Sequence, residues 1–258
     1  MTGTAAAATL EGRVALVTGS SRGIGAAIAT TFARAGARVV LHGRDEAALA
    51  EMRKRIDDLG GEALVVTGDV TVGADLDRMR DEIVQEWGRV DILVTSAGST
   101  ASRPAPIEDI PEEAWRADID RNLTATFLTV KRFLPGMKER GSGTIITLSS
   151  AAGRKPSERT IVAYAVAKAG VQLFTQDLAA QAGPFGVRAN CIAPETIMTE
   201  TNQQWIPAET QRALAEAHPL RRLGTPDDVA AAALFLASDS SGWITGVIVD
   251  VAGGAVLH

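Results

Sequence analysis

The chain has 258 residues, 46% of them hydrophobic, a length that suits one large α/β domain or two small ones with a sizeable buried core. A formal net charge of -5 with both signs interspersed leaves no basic footprint for nucleic acid and no polybasic anchor for a membrane surface, and 4% aromatic content makes no base-stacking platform. The single cysteine, Cys191, excludes an intrachain disulfide, and its apolar context reads as a small buried hydrophobe.

Met1–Thr9 lacks the basic and apolar segments of a signal peptide, and residues 1–10 are read as a frayed terminus. No run reaches the ~18 apolar residues of a membrane span, so a cytoplasmic location is expected. Val14–Val17 is a buried-strand run ending in Thr18-Gly19. Ile24, Ile28, Phe32 and Ala35 then fall on one helix face, closed by Gly36. The spacing predicts strands over Val39–Leu41, Ala63–Val66 and Ile92–Val94, with helices over Ala47–Leu59 and Asp75–Trp87 between them. Trp115–Arg140 reads as a long helical stretch bent or broken near Pro135-Gly136. Thr144–Leu148 is strand-like. Ala163–Ala182 is helical, with Ala163, Ala167, Gly170, Val171, Phe174 and Leu178 on one stripe. Val187–Ile192 (strand), Asp227–Ala237 (helix) and Val247–Val249 (strand) complete the rhythm.

Strands alternating with helices predict βαβ units, and hence one doubly wound α/β domain with a parallel sheet, a three-layer Rossmann-type sandwich. Only the polar stretch Thr196–Leu220 fits the rhythm poorly. It lies between two strands near the end, where a substrate lid is expected.

Two motifs carry chemistry. Thr18-Gly19-Ser20-Ser21-Arg22-Gly23-Ile24-Gly25 follows a strand and opens a helix. Its glycines let the backbone approach a pyrophosphate whose charge sits at the helix N-terminus. The spacing is G-x-x-x-G-x-G, which taken alone also describes a ligand-free turn; the strand–turn–helix setting favours a dinucleotide. The second motif is Tyr164-Ala165-Val166-Ala167-Lys168. On a helix the phenol and ammonium are neighbours, and a nearby positive charge favours phenolate. The pair is a tunable proton donor and acceptor, built on the only tyrosine in the chain, with Ser149-Ser150 at a strand end upstream.

Thr18–Gly25, Ser96-Ala97-Gly98, Asn122, Ser150, Tyr164, Lys168 and Pro194 occur in the order of the short-chain dehydrogenase/reductase family, which the chain resembles from about Arg13 to Gly254. Arg222–Val229, Ile244-Thr245-Gly246 and Val249-Asp250 are similar to the 3-oxoacyl-carrier-protein reductase-like branch. The resemblance implies an NAD(P)-dependent oxidoreductase moving hydride between a nicotinamide and a carbonyl or secondary alcohol. Tyr164 would be the general acid or base, and Ser150 would bond the substrate oxygen. Lys168 would hold the nicotinamide ribose and depress the Tyr164 pKa. Asn122 would hold a water linking Lys168 to solvent. Gly19, Ser21, Arg22, Gly23, Ile24 and Gly25 would cradle the cofactor phosphates. Asp69 and Val70 would meet the adenine, Ala97 and Gly98 its ribose, and Pro194, Ile197 and Thr199 the nicotinamide end. No metal site is expected. The family is commonly tetrameric through the two long helices, with Ile244–His258 as a candidate second interface, so a homotetramer acting on a small molecule is expected.

The chain departs from the family in three places. Thr95-Ser96 replaces two asparagines that brace the sheet. Ser150 and Tyr164 lie 14 positions apart, one more than usual, which keeps Ser149 open as the catalytic serine. Glu195 replaces the glycine after Pro194. It is either a specificity element for a polar or cationic substrate or a solvated loop residue. Trp205 and Ile206 offer the substrate apolar surface, and Arg154 and Arg159 polar contacts. The second strand ends Leu41-His42-Gly43-Arg44, without the carboxylate that accepts both ribose hydroxyls in NAD sites. Arg44 and Arg22 are placed to meet a 2′-phosphate, so NADP(H) is expected. The alternative is that Asp45 takes the ribose and the cofactor is NAD(H). Two other readings stand beside the oxidoreductase: a cofactor-binding protein of the same fold without turnover, and a redox-neutral epimerase or dehydratase.

Overall fold

Val14–Thr18 alternates its side chains between two apolar layers, Ala15 and Val17 to one side and Val14 and Leu16 to the other. A strand buried on both faces belongs inside a parallel sheet. In the computed structural model, which describes residues 9–100, 102–156 and 160–257, this segment is β1 of a seven-stranded sheet. The other strands are β2 (Arg38–Gly43), β3 (Ala63–Thr67), β4 (Ile92–Thr95), β5 (Gly143–Leu148), β6 (Val187–Pro194) and β7 (Ile248–Val251). Their order is β3-β2-β1-β4-β5-β6-β7, with every pairing parallel. The order reverses between β1 and β4, and a sheet of this kind opens a ligand crevice at the carboxyl ends of its strands there.

Helices α1 (Gly23–Arg34) and α2 (Glu46–Asp57) cover one face, packing Ile28, Phe32, Leu49 and Ile56 onto it. On the other face α3 (Gly73–Trp87) contributes Leu76, Met79 and Ile83. Helix α4 (Glu112–Ile119) runs through a π-helical turn, Asp120–Thr124, into α5 (Ala125–Arg140), which buries Val130, Phe133 and Met137 beside Leu178 and Ala182 of α6 (Val162–Ala182). Two short helices, α7 (Glu200–Trp205) and α8 (Ala208–Ala217), lie in the polar stretch after β6. Helix α9 (Pro226–Ala237), started by a Thr225–Asp228 capping box, packs back against α1.

Two local expectations change. Pro135 lies inside α5 and does not break it, because buried Phe133 and Met137 hold both sides of the exposed proline to the core. The irregularity lies upstream, at the π-helical turn around Asn122. At the N-terminus, residues 1–8 are outside the described residues, but Leu10 is not frayed. It is buried, and its N–H donates to the Ala35 carbonyl at 2.7 Å.

Candidate functional site

The loop between β1 and α1 is shaped by close backbone approach. Gly19 has φ +68°, and a Cβ there would sit 2.8 Å from the Ala97 Cα; one at Gly25 would run into the Gly19 carbonyl oxygen. Only glycine fits either position, and the result is a concave backbone cradle at the start of α1. Ser21 faces Gly43 at the end of β2, and Gly23, at φ +58°, lies under the Thr199 methyl group. Ile24 packs inward against the core. The expected cofactor-binding residues all stand on segments following strand ends on this side of the sheet: Arg44 after β2, Asp69 and Val70 after β3, Ala97 and Gly98 after β4, Pro194 at the end of β6, and Ile197 and Thr199 just beyond.

Ala97 is braced where the family's asparagines are missing. Its N–H donates to the Thr18 hydroxyl at 3.1 Å, which in turn donates to the Val94 carbonyl at 3.3 Å. Asp69 Oδ1 accepts from the Thr71 N–H and hydroxyl, and these bonds hold its carboxyl below the usual range. Arg44 reaches Asp69 at 3.5 Å, and Arg22 reaches Asp45 at 2.5 Å. Asp45 also caps α2 by accepting from the Ala48 N–H. Both its oxygens are therefore engaged within the protein.

Sequence reading missed His42. Its ring is buried, and Nδ1 accepts from the Gly19 N–H at 3.3 Å while Nε2 donates to the Gly68 carbonyl at 3.2 Å. The imidazole thus ties the glycine loop to the turn after β3. Its signal, one histidine in an apolar strand, is indistinguishable from packing. Burial pushes the ring from 6.5 down to about 4. The unfolded chain binds the extra proton at higher pH than the folded chain does, so this group costs stability as pH falls from 6.5 toward 4. The loss amounts to roughly 3 kcal/mol at 1.36 kcal/mol per unit. Denaturant unfolding of the wild type and of His42→Asn across that range should show a shallower acid slope in the variant; parallel slopes would contradict the assignment.

At the other end of the crevice, α6 brings Tyr164 and Lys168 to the end of β5. The Tyr164 phenol hydrogen-bonds Ser150; burial raises its pKa, the Ser150 bond opposes this, and Asp118 adds to the rise. Lys168 is fully buried, donates to the Leu148 carbonyl at 2.9 Å, and lies 5.5 Å from the Tyr164 ring centroid; burial lowers it to about 8. The implied depression of the phenol by Lys168 is thus not present among the protein's own groups. Desolvation dominates both partners, and it is the ammonium that moves into the working range. Ser149 is occupied: its hydroxyl donates to the Lys168 carbonyl and accepts from Gln172 Nε2, each at 2.8 Å. Ser150 caps a short turn by accepting from the Ala152 N–H and is the serine beside the phenol.

Asn122 comes to the same place from the π-helical turn. Its Nδ2 donates to the Ser99 and Asp118 carbonyls at 2.8 and 2.9 Å, while its buried Oδ1 has no partner among the described residues. Such turns recur at functional sites because they re-aim one side chain. A Cβ at Gly98 would meet that Oδ1 at 2.8 Å and Lys168 Nζ at 3.5 Å. A backbone cradle at one end and an orphaned acceptor beside a buried ammonium at the other fit a dinucleotide.

A family model described as enoyl-(acyl carrier protein) reductase matches residues 19–256. The chain belongs to the short-chain dehydrogenase/reductase family. It is 40% identical over 260 residues to a cyclohexanol dehydrogenase of a Rhodococcus species, covering 95% of this chain and 96% of that one. Among solved structures it is similar to a 7α-hydroxysteroid dehydrogenase complexed with NADH and 7-oxo glycochenodeoxycholic acid, at 35% identity, TM-score 0.92 and 97% coverage of both chains. It is also similar to a gluconate 5-dehydrogenase from Burkholderia cenocepacia in complex with NADP and tartrate, at 34% identity, TM-score 0.90 and 96% coverage of both. Like other short-chain dehydrogenases, this chain is an oxidoreductase of NAD(P)-dependent hydride transfer.

Two expectations about substrate contacts change. Glu195 is neither solvated nor open to a cationic substrate, because its Oε2 lies 2.6 Å from His218 Nε2 in a largely buried pair. Arg154 pairs with Asp250 at 3.4 Å, and Arg159 lies outside the described residues. Trp205 is exposed at the end of α7, and Ile206 is half-buried. No described helix is long and apolar enough to cross a membrane, and the described residues hold no metal-binding cluster.

Proposed function

We propose that this enzyme is an NADP(H)-preferring dehydrogenase/reductase of a carbonyl or secondary alcohol with Tyr164 as general acid and base. The observation that carries the reading is the convergence of Ser150, Tyr164, buried Lys168 and the unpartnered Asn122 Oδ1 on the crevice floored by the glycine loop. A bound nicotinamide supplies or accepts the hydride. Ser150 bonds the substrate oxygen, and the Tyr164 hydroxyl protonates it in reduction or takes its proton in oxidation. Lys168 holds the ribose hydroxyls. Asn122 Oδ1 accepts from a water that links Lys168 to solvent. Gly19, Ser21, Gly23, Ile24 and Gly25 hold the phosphates, Asp69 and Val70 the adenine, Ala97 and Gly98 its ribose, and Pro194, Ile197 and Thr199 the carboxamide end. Arg22 and Arg44 take the 2′-phosphate.

A binding protein without turnover has no use for this proton-handling set. The hydroxysteroid and gluconate relatives, matched over nearly the whole chain at TM-scores of 0.90 or more, are dehydrogenases by name, which does not favour redox-neutral chemistry. Absorbance of reduced nicotinamide over a panel of ketones, 3-oxoacyl thioesters and keto-sugars tests the reaction. Net loss of the band is expected; product without net loss would move the assignment to an epimerase or dehydratase.

We also infer a homotetramer. Phe127 on α5 and Val166 and Leu173 on α6 are exposed large hydrophobics, as are Phe185 just after α6, Phe235 on α9, and Trp243 and Val247 between α9 and β7. Two such groups of exposed apolar side chains suit the two interfaces that a dihedral assembly uses. Light scattering at micromolar concentration should give four times the 27.0 kDa chain mass; a strictly monomeric mass would refute the assembly. The Thr196–Leu220 segment is read as a lid that orders over the nicotinamide end.

A further inference from the structure

Between Ile197 and Val229 a single residue is buried, and it is a histidine. Neither α7 nor α8 buries a residue of its own. The segment is closed at its base by backbone bonds, Met198 N–H to the Gly224 carbonyl at 2.8 Å and Gly224 N–H to the Thr196 carbonyl at 3.2 Å. Beyond that base, its buried anchor is His218, just past the end of α8. Helices with so little buried surface open at low cost, so what holds their anchor decides how often they open.

Both ring nitrogens of His218 face acceptors. Nδ1 donates to the Leu214 carbonyl at 2.6 Å, and Nε2 meets the Glu195 carboxyl at 2.6 Å. Glu195 is itself fixed to the sheet, its N–H donating to the Val251 carbonyl at 3.2 Å. The imidazole rests on Gly253, where a Cβ would come within 3.3 Å of the ring. The chain then reverses through Arg221, at φ +54° the only non-glycine residue with positive φ among those described. A side chain at the strand end thus grips the far end of the polar segment, while Thr199 at its near end caps α7 and lies over Gly23 of the glycine loop.

We propose that Glu195 and His218 form a clasp: a pair of positioning residues that holds the α7–α8 segment against the sheet and, through Thr199, sets the affinity for the nicotinamide cofactor. The proposal rests on the lid reading above. It gives Glu195 an internal partner in place of a substrate, and it explains why a carboxylate stands where the family keeps a glycine. The contact is short and largely shielded from water.

The test is amide hydrogen exchange across residues 200–217, with and without NADPH, together with the NADPH dissociation constant from fluorescence titration. Glu195→Ala should speed exchange of 200–217 about tenfold, leave the central strands unchanged, and weaken NADPH by on the order of tenfold, a typical cost for one hydrogen bond. Glu195→Gln keeps an amide that bonds the imidazole and should restore most of both. The combined loss in the Glu195→Ala/His218→Ala double variant should be smaller than the sum of the losses in the two single variants. Wild-type exchange of 200–217 in Glu195→Ala overturns the clasp, as does a Gln variant no better than Ala; the two Glu195 variants decide this even where His218→Ala does not fold. Wild-type exchange that ignores NADPH sinks the lid reading instead, and it does so whatever the Glu195 variants show.

Discussion

Tyr164→Phe should bind cofactor with near wild-type affinity and lose most turnover. The ring stays, so the packing of α6 against the end of β5 is kept, while the one hydroxyl placed beside Ser150 is removed. Positioned general acid–base groups contribute roughly 10²–10⁴-fold, and a loss in that range is expected in kcat. The readouts are steady-state rates on the best panel substrate and a fluorescence titration of the reduced cofactor. Turnover close to wild type in a pure, folded variant would remove Tyr164 from the mechanism. A comparable loss of cofactor affinity would show that the substitution had disturbed the pocket.

Arg44→Ala should raise KM for NADPH by roughly 10–100-fold and change KM for NADH little. A guanidinium on a phosphate makes charge-assisted hydrogen bonds worth about 1.5–3 kcal/mol. Arg44 is mostly exposed and, among the described residues, held only by the 3.5 Å contact to Asp69, so it swings to a new anion at small cost. Asp45, the residue that would favour NADH, has one oxygen on the Ala48 N–H and the other on Arg22. Taking up a ribose diol there would strip the cap of α2 or the pair with Arg22, costs that a 2′-phosphate avoids. The decisive number is the ratio of kcat/KM for the two cofactors in the wild type. Clear preference for NADH would show that Asp45 sets the choice and that the arginines stay with their internal carboxylates.

The architecture was legible in the sequence because its signals are local. Strands buried on both faces, such as Val14–Thr18 and Val39–Leu41, must be continuous apolar runs, and the helices between them must carry one apolar stripe. The glycine loop was legible because only glycine tolerates the approach of Ala97 to Gly19, and Tyr164 and Lys168 because a helix places i and i+4 on one face.

What the tertiary structure alone decided are the properties of pairs distant in the chain. Ser150, not Ser149, stands beside the Tyr164 phenol, and the Ser149 hydroxyl is taken by Gln172 and the Lys168 carbonyl. Asn122 reaches the site through a π-helical turn that no periodicity announces, while Pro135, the visible breaker, is overruled by Phe133 and Met137 in the core. His42 became a brace for the glycine loop, and Glu195 became one half of a buried pair with His218. Hydrophobic periodicity is written residue by residue, because each position senses only its own burial. A polar side chain's role is set by whichever partner the fold delivers within about 3 Å, and folding, not spacing, chooses that partner.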